Sequence, residues 1–254
     1  MTERAQRYAI VNGDDFGASH GVSLGIVEAH ERGVLTSASL MVDGAAARAA
    51  VTLSRAHPRL SIGLHLYFGQ WEFVAGTWVC TDQVVPLDDR AALAAETDRQ
   101  LAVFEAIVGR RPTHLDSHQH LHCAGPAAEV VGERAQRLGV PLRRVCGAVA
   151  YRGEFYGQSG RGERYPAGIE PHALIRLLRD LAPGWSEIAC HPGHAHDLRS
   201  TYRWEREREL RALCDPQVRA TIASERIELR SFGDLARAGA PTLPDVRGAA
   251  PARD

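Results

Sequence analysis

The sequence predicts an α/β fold in which one closed or nearly closed barrel of mostly parallel strands is surrounded by helices. Short apolar runs typical of buried strands alternate with helical patterns along 254 residues, which indicates repeated βα units. About seven such units fit this length, and no linker divides the chain into halves. Polar residues follow the ends of several predicted strands, as they do at the mouth of a barrel. A doubly wound open sheet is the alternative.

Local signals mark where the elements begin and end. Ser19 is placed to cap the first helix, which Gly33 ends, and Asp88 or Asp89 to cap the longest one. Pro171 suits the first turn of a later helix. In order, the predicted elements are strand 8–11, helix 20–32, strand 37–42, helix 45–56, strand 60–68, a loop or small hairpin over 69–86, a helix from 88 or 89 to 112, strand 114–122, helix 126–138, strand 142–146, a functional loop over 147–168, helix 171–181, strand 187–190, helix 203–213, strand 227–232 and a short last helix.

Composition limits the range of functions. The net charge of −1 argues against a nucleic-acid partner, because such proteins usually carry a basic excess. All 30 basic residues are arginine, which excludes Schiff-base, pyridoxal and Walker-type lysine chemistry. The five cysteines are dispersed singly, and no apolar run has membrane-spanning length, so we expect a cytoplasmic protein with reduced thiols. We expect one domain over 1–239 and a disordered, proline-containing tail over 240–254.

The stretch 114–122 contains four histidines and one aspartate. His114, Asp116, His118, His120 and His122 occupy every second position, so an extended strand would place them on one face. Unpaired imidazole and carboxylate groups are costly to bury, and together they are ligands that suit a divalent metal ion. A surface strand that chelates metal fortuitously is the alternative explanation.

Three further clusters lie at the ends of other predicted strands. Asp14 and Asp15 follow the first strand, His65 lies near the end of the third, and His191 follows a late one. Taken singly, the aspartates suit a turn or a helix cap, and His65 suits a buried core histidine. Because the carboxyl ends of barrel strands meet at one mouth, the four clusters together favour a metal site.

These motifs resemble those of the YdjC-like family of carbohydrate deacetylases. The resemblance covers roughly residues 7–235 and rests on four stretches that occur in this order: Asn12-Gly13-Asp14-Asp15-Phe16-Gly17, Gly63-Leu64-His65-Leu66, His114 to His122, and Cys190-His191-Pro192-Gly193. It implies a single distorted TIM-like (β/α) barrel and a metal-dependent hydrolase that removes acetyl groups from N-acetylated sugars.

Carried over by position, the resemblance implies that Asp15, His65 and His118 bind the metal. It makes Asp14 the general base and His191, in its protonated form, the general acid. The chain departs from the family after His65, where the segment is shorter and carries Trp71 and Trp78, and over residues 147–168. Both departures bear on which substrate is bound and leave the expected reaction unchanged.

The remaining polar and aromatic residues near these motifs have supporting functions in this interpretation. Asp116 is expected either to orient an imidazole ligand or to be a buried structural aspartate. His120 and His122 are expected to contact substrate or line the pocket. Trp71 and Tyr151 are expected to surround the mouth, either as stacking surfaces for sugar rings or as loop packing.

The sequence thus predicts an amide hydrolase that acts on a small N-acetylhexosamine-containing carbohydrate or glycoside. The cofactor is one divalent metal ion, zinc or magnesium, with manganese or cobalt as alternatives. A hydrolase of another ester or amide at the same site, and a non-catalytic module that binds sugar or metal, are the alternative functions. A homodimer is compatible with the sequence.

Overall fold

A computed structural model of the chain describes residues 5–239, and the predicted tail over 240–254 lies outside them. The strands are β1 (Arg7–Phe16), β2 (Ser37–Leu40), β3 (Ser61–Leu66), β4 (Gly69–Val74), β5 (Thr77–Gln83), β6 (Leu115–Ser117), β7 (Val149–Arg152), β8 (Gly184–Cys190) and β9 (Ile227–Leu229). The helices are α1 (His20–Arg32), α2 (Ala47–Arg55), α3 (Arg90–Val108), α4 (Gly125–Leu138), α5 (Pro171–Arg179), α6 (Trp204–Leu213), α7 (Pro216–Ser224) and α8 (Phe232–Arg237).

Seven strands form one parallel sheet around the central strand β1. Their order is β6-β3-β2-β1-β8-β7, and β9 pairs with the first residues of β1. Within the described residues β6 and β7 end this order, so the barrel is open between them. Strands β4 and β5 form a separate antiparallel hairpin. The predicted fold class, a single distorted TIM-like barrel with mostly parallel strands, is confirmed.

Capping residues set the helix ends as the sequence predicts. The Ser19 side chain accepts a hydrogen bond from the backbone N–H of Val22 at the start of α1. Asp89, rather than Asp88, caps α3 by accepting from the backbone N–H groups of Ala91 and Ala92. Helix α3 ends before Gly109, whose φ of 79° lies in the left-handed region that favours glycine, and therefore short of Pro112.

Several predicted strands differ from those in the structure, among them 227–232, which ends at Leu229. Strand β1 does not end at residue 11 but continues to Phe16, because paired charges compensate the burial of Asp14 and Asp15. The predicted strand 142–146 is wrong: Leu142 makes one isolated parallel bridge to Leu115. The next strand, β7, instead lies within the predicted functional loop over 147–168.

The prediction that residues 114–122 form one extended strand is also wrong. Strand β6 contains only Leu115–Ser117, and His118–Cys123 form a kinked 3₁₀ turn. Gln119 and His120 have φ values of 52° and 55°, which breaks the alternation of faces. The turn is supported by Ser117, whose hydroxyl accepts a hydrogen bond from the backbone N–H of His122.

The barrel brings the carboxyl ends of four strands to one mouth. Asp14 and Asp15 lie at the carboxyl end of β1, and His65 is the penultimate residue of β3. His118 follows β6 directly, and His191 follows β8. No helix between residues 5 and 239 combines the length and apolar character needed to cross a bilayer.

Candidate metal centre

Asp15, His65 and His118 converge at the mouth of the barrel. Asp15 Oδ1 lies 3.3 Å from His65 Nε2 and 3.3 Å from His118 Nδ1. The pairing of β1 with β2 shifts register between Gly13 and Phe16, and Asp15 has a φ of 63°. This bulge points the side chains of the adjacent aspartates in different directions.

The three side chains fit a divalent metal ion. Their ligand atoms lie within 4.8 Å of one another, and Asp15 Oδ1 is buried without a hydrogen-bond partner among the described residues. Two ligands that each lie about 2.1 Å from one ion are roughly 3.0–3.4 Å apart at octahedral or tetrahedral angles. The observed separations of 3.3 Å agree with this value. Two nitrogens and one oxygen also form a donor set that catalytic zinc sites use.

Each imidazole of this triad is oriented by a side chain behind it. His65 Nδ1 lies 2.8 Å from Asp116 Oδ1, and His118 Nε2 lies 2.6 Å from Gln70 Oε1. Hydrogen bonds at these nitrogens leave His65 Nε2 and His118 Nδ1 directed at Asp15. Burial alone would lower the pKa of His65, but Asp116 raises it to about 10. The surroundings thus favour positive charge at this imidazole, whether a proton or a metal ion supplies it.

Arg143 links Asp14 to two other buried carboxylates. Its Nη1 and Nη2 lie 2.6 and 2.7 Å from the two carboxylate oxygens of Asp14. Its Nη2 lies 2.9 Å from Asp116 Oδ2, and its Nε lies 2.8 Å from Glu187 Oε1. Burial alone would raise the pKa of Asp14, but Arg143 lowers it below its ordinary value. Asp14 therefore remains ionised, as a general base must.

The ligand atoms of Asp14, His65 and Asp116 also lie within 4.8 Å of one another and could in principle hold a metal ion. The guanidinium of Arg143 already bonds both carboxylates of this second group. The group with Asp15 is therefore the better metal site, because Asp15 Oδ1 has no such partner.

His191 faces Asp14 across the mouth. Its Nε2 lies 3.8 Å from Asp14 Oδ2, and its ring packs against Tyr156 and Tyr202 at centroid distances of 5.4 and 5.3 Å. Burial lowers the pKa of His191 to about 4, so the imidazole is neutral near pH 7. The expectation of a histidine that is protonated at the outset therefore differs from the structure.

Helix α6 supports both sides of the site with buried ionisable side chains. Arg206 Nη2 donates to Asp15 Oδ2 at 2.5 Å, which leaves Asp15 Oδ1 free to face the imidazoles. Burial alone would raise the pKa of Asp15, but Arg206 and His118 hold it well below its usual value. Three residues further on, Glu209 accepts a hydrogen bond from the backbone N–H of His191 at 2.5 Å.

The other predicted site residues lie around the triad but not in it. Tyr151 Oη and His120 Nε2 are 3.0 Å apart, and both residues line the cavity. Trp71 also lines the cavity, and its backbone is hydrogen-bonded to the Gln119 side chain. His122 is fully buried and contacts Ser117, so the structure does not place it in the cavity lining.

A cavity of about 720 Å³ opens in front of Asp15 and His118. The hairpin β4–β5 forms one wall, and the segment from 151 to 162 forms another. Residues 200–202, which precede α6, complete the lining with polar side chains. The volume lies within the range of pockets that bind small organic ligands.

Several site residues were not predicted from the sequence. Glu187 had a usable signal, because it is the only charged residue in an apolar strand. Arg143 occurs in a predicted strand beside Arg144, where nothing distinguishes a buried arginine from an exposed one. Arg206 and Glu209 had no signal, because alternating arginine and glutamate is the usual pattern of a solvated helix.

The chain is similar to known proteins over most of its length. The family model described as YdjC-like protein matches residues 8–224. A chitooligosaccharide deacetylase of Serratia marcescens is 33% identical over 91% of this chain and 100% of its own length. A carbohydrate deacetylase of Geobacillus stearothermophilus is 32% identical over 90% of this chain and 98% of its own.

A solved structure has the same fold. It is that of a candidate cellobiose-phosphate cleavage protein of Enterococcus faecalis V583, and it superposes with a TM-score of 0.73. The match covers 91% of this chain and 99% of that one at 24% identity.

Proposed function

The chain belongs to the YdjC-like protein family, and from this premise we propose that it is a metal-dependent carbohydrate deacetylase. Its substrate is a small carbohydrate or glycoside that contains an N-acetylhexosamine, and its product besides the free amine is acetate. The relatives named as deacetylases support the reaction. The observation that carries the mechanism is the triad of Asp15, His65 and His118, with ligand atoms within 4.8 Å of one another.

Asp14 is the general base of the proposed reaction. A divalent metal ion bound by the triad would polarise the acetyl carbonyl and acidify the attacking water. Asp14 then accepts a proton from that water as its oxygen attacks the carbonyl carbon. The contacts with Arg143 hold this carboxylate ionised and fixed. Its Oδ1 also accepts a hydrogen bond from Asn12, whereas Oδ2 accepts only from Arg143 and retains a lone pair for the proton.

His191 completes the reaction by delivering a proton to the leaving nitrogen. Because its imidazole is neutral near pH 7, it must first gain the proton that it gives away. Asp14 Oδ2 and His191 Nε2 are 3.8 Å apart, so transfer of the water proton from the base to the imidazole requires the two groups to move into hydrogen-bond contact when substrate binds. The bond between carbonyl carbon and nitrogen then breaks as His191 protonates the amine, and the acyl group leaves as acetic acid.

Measurements on the purified protein identify the metal and the acetylated substrate. The two nitrogens and one oxygen of the triad favour zinc, whereas magnesium would require more oxygen ligands. Metal content is measured after purification, and acetate release is then measured with zinc, magnesium, manganese and cobalt. A panel of N-acetylated sugars, O-acetyl esters and other amides separates the deacetylase from a hydrolase of another bond.

Substitution of single residues tests the assigned functions. His65→Ala and His118→Ala should each lose both metal content and acetate release, while circular dichroism stays unchanged. Acetate release that persists in either variant would refute the ligand assignment. Asp14→Asn should retain its metal and lose turnover, whereas a fully active variant would mean that the base lies elsewhere. A wild-type protein that binds sugar without product over long incubation would instead be a binding module.

A further inference from the structure

The hairpin β4–β5 carries aromatic side chains that the proposed reaction does not use. Phe73 and Trp78 are cross-strand partners, and their rings pack edge to face with centroids 5.5 Å apart. Trp78 remains 52% exposed. An aromatic pair of this kind stabilises a hairpin, but that does not require a tryptophan to stay half in water. Both rings line the cavity that contains Asp15 and His118.

The hairpin is fixed to the candidate metal centre. In the described part of the chain it pairs with no strand of the main sheet, so other contacts set its position. Gln70 Oε1 lies 2.6 Å from His118 Nε2. The side-chain amide of Gln119 bonds both backbone groups of Trp71, at 2.9 and 2.8 Å. The aromatic face therefore has a defined place relative to the metal ligands.

Polar side chains line the cavity beside its aromatic ones. Gln158, Ser159, Arg161, Ser200 and Thr201 line the same cavity. A pyranose ring has an apolar face of C–H groups and an edge of hydroxyl groups, so it fits between an aromatic surface and hydrogen-bonding side chains. A volume of about 720 Å³ extends beyond the metal centre to the hairpin.

We propose that Trp78, together with Phe73, forms a subsite that binds a second pyranose ring of an oligosaccharide. The acetylated ring lies at the metal centre, and the next ring of the same chain stacks on the Trp78 side chain. This inference rests on the proposed function for the position of the reacting ring. It makes Trp78 a residue that determines the preferred substrate length.

Kinetics with substrates of different length test the subsite. Acetate release by the metal-loaded protein is measured with N-acetylglucosamine and with its β-1,4-linked trimer. For Trp78→Ala, kcat/KM on the trimer should fall about tenfold through KM, with little change on the monomer. Trp78→Phe should recover part of the loss. Trp204→Ala is the matched control, because Trp204 is 69% exposed but does not line this cavity.

Three results would overturn the subsite. The first is unchanged kinetics of Trp78→Ala on the trimer, and the second is an equal loss on monomer and trimer, which would indicate a disturbed hairpin. The third is a change of oligomeric state in size-exclusion chromatography, which would mean that the hairpin packs against a second copy. Calorimetric binding of the trimer to wild type and Trp78→Ala tests the subsite even if no sugar is deacetylated. If the trimer binds in a way that depends on Trp78 but no acetate is released, the proposed function is refuted and the subsite is not.

Discussion

Replacement of Arg143 by methionine tests how the buried charges of the site are held. The guanidinium contacts Asp14, Asp116 and Glu187, and all four residues are at most 3% exposed. Methionine retains much of the side-chain volume but removes the positive charge and every donor. The carboxylates would then face one another with little solvent to screen their charges.

The expected loss of stability is large. Removing one partner of a buried ion pair costs about 3–5 kcal/mol, because the remaining charge is left uncompensated. For a protein of this size each kcal/mol changes Tm by about 2–4 °C, so Tm should fall by roughly 6–20 °C. Burial raises the pKa of Glu187 to about 7, so this carboxylate can relieve part of the repulsion by binding a proton. Arg143→Met with Glu187→Gln should therefore lose less than the two single changes together.

The assay is thermal unfolding at pH 7 in the presence of a chelator, so that no added cation replaces the missing charge. Arg111→Met is the matched control, because the Arg111 side chain is 71% exposed and its replacement should leave Tm nearly unchanged. Arg143→Lys should be intermediate, since one ammonium group cannot bridge three carboxylates. If Arg143→Met unfolds within about 2 °C of wild type, the carboxylates are not held by this arginine and the charge network is wrong.

Three further predictions concern the residues around the metal ligands. Asp116→Asn should weaken metal binding about 10–100-fold in calorimetry, because it removes the negative partner that orients His65; an unchanged Kd would contradict this. Arg206→Met should weaken metal binding too, because Asp15 loses the hydrogen bond that holds its carboxylate in position. Arg208→Met, on the exposed face of the same helix, should not. Glu209→Gln should gain thermal stability relative to wild type as the pH rises from 5 to 9. Burial raises the pKa of Glu209 from 4.5 to about 8, so the wild type loses stability across that interval and the variant does not; parallel Tm curves would exclude this effect.

The alternation of strands and helices was predictable because strands buried on both faces are short apolar runs, whereas helices bury only one face. Helix α1 begins and ends as its cap residues predict, and residues 69–86 contain the expected hairpin. The end of β1 was not predictable from local sequence. Asn12-Gly13-Asp14-Asp15 favours a turn, but Arg143 and Arg206 pair with the two aspartates and keep them in a buried strand.

The site was predictable where its residues follow strands, and unpredictable where they come from helices and turns. The clusters that contain Asp15, His65 and His118 were recognised because strand ends meet at the mouth of a barrel, and the resemblance to the YdjC-like family then singled out these three as candidate ligands. The alternating pattern after His118 was misleading, since the chain turns there and removes His122 from the cavity. The contacts of Arg206 with Asp15 and of Glu209 with His191 depend on where α6 lies in the fold, which no pattern within the helix contains.

The charge of the whole site explains why these supporting residues matter. Two buried guanidiniums contact four buried carboxylates at the site. Arg143 contacts Asp14, Asp116 and Glu187, and Arg206 contacts Asp15. The carboxylates exceed the guanidiniums by two, and only Glu187 has a pKa raised toward neutrality, to about 7. Without a metal ion, a proton on His65, whose pKa is raised to about 10, offsets part of this excess. A divalent cation beside Asp15 would replace that proton and offset the excess in full, because buried charges are stable only when they are paired. The two arginines therefore do more than hold their partners in position. They restrict the uncompensated negative charge to the oxygen that faces the two imidazoles.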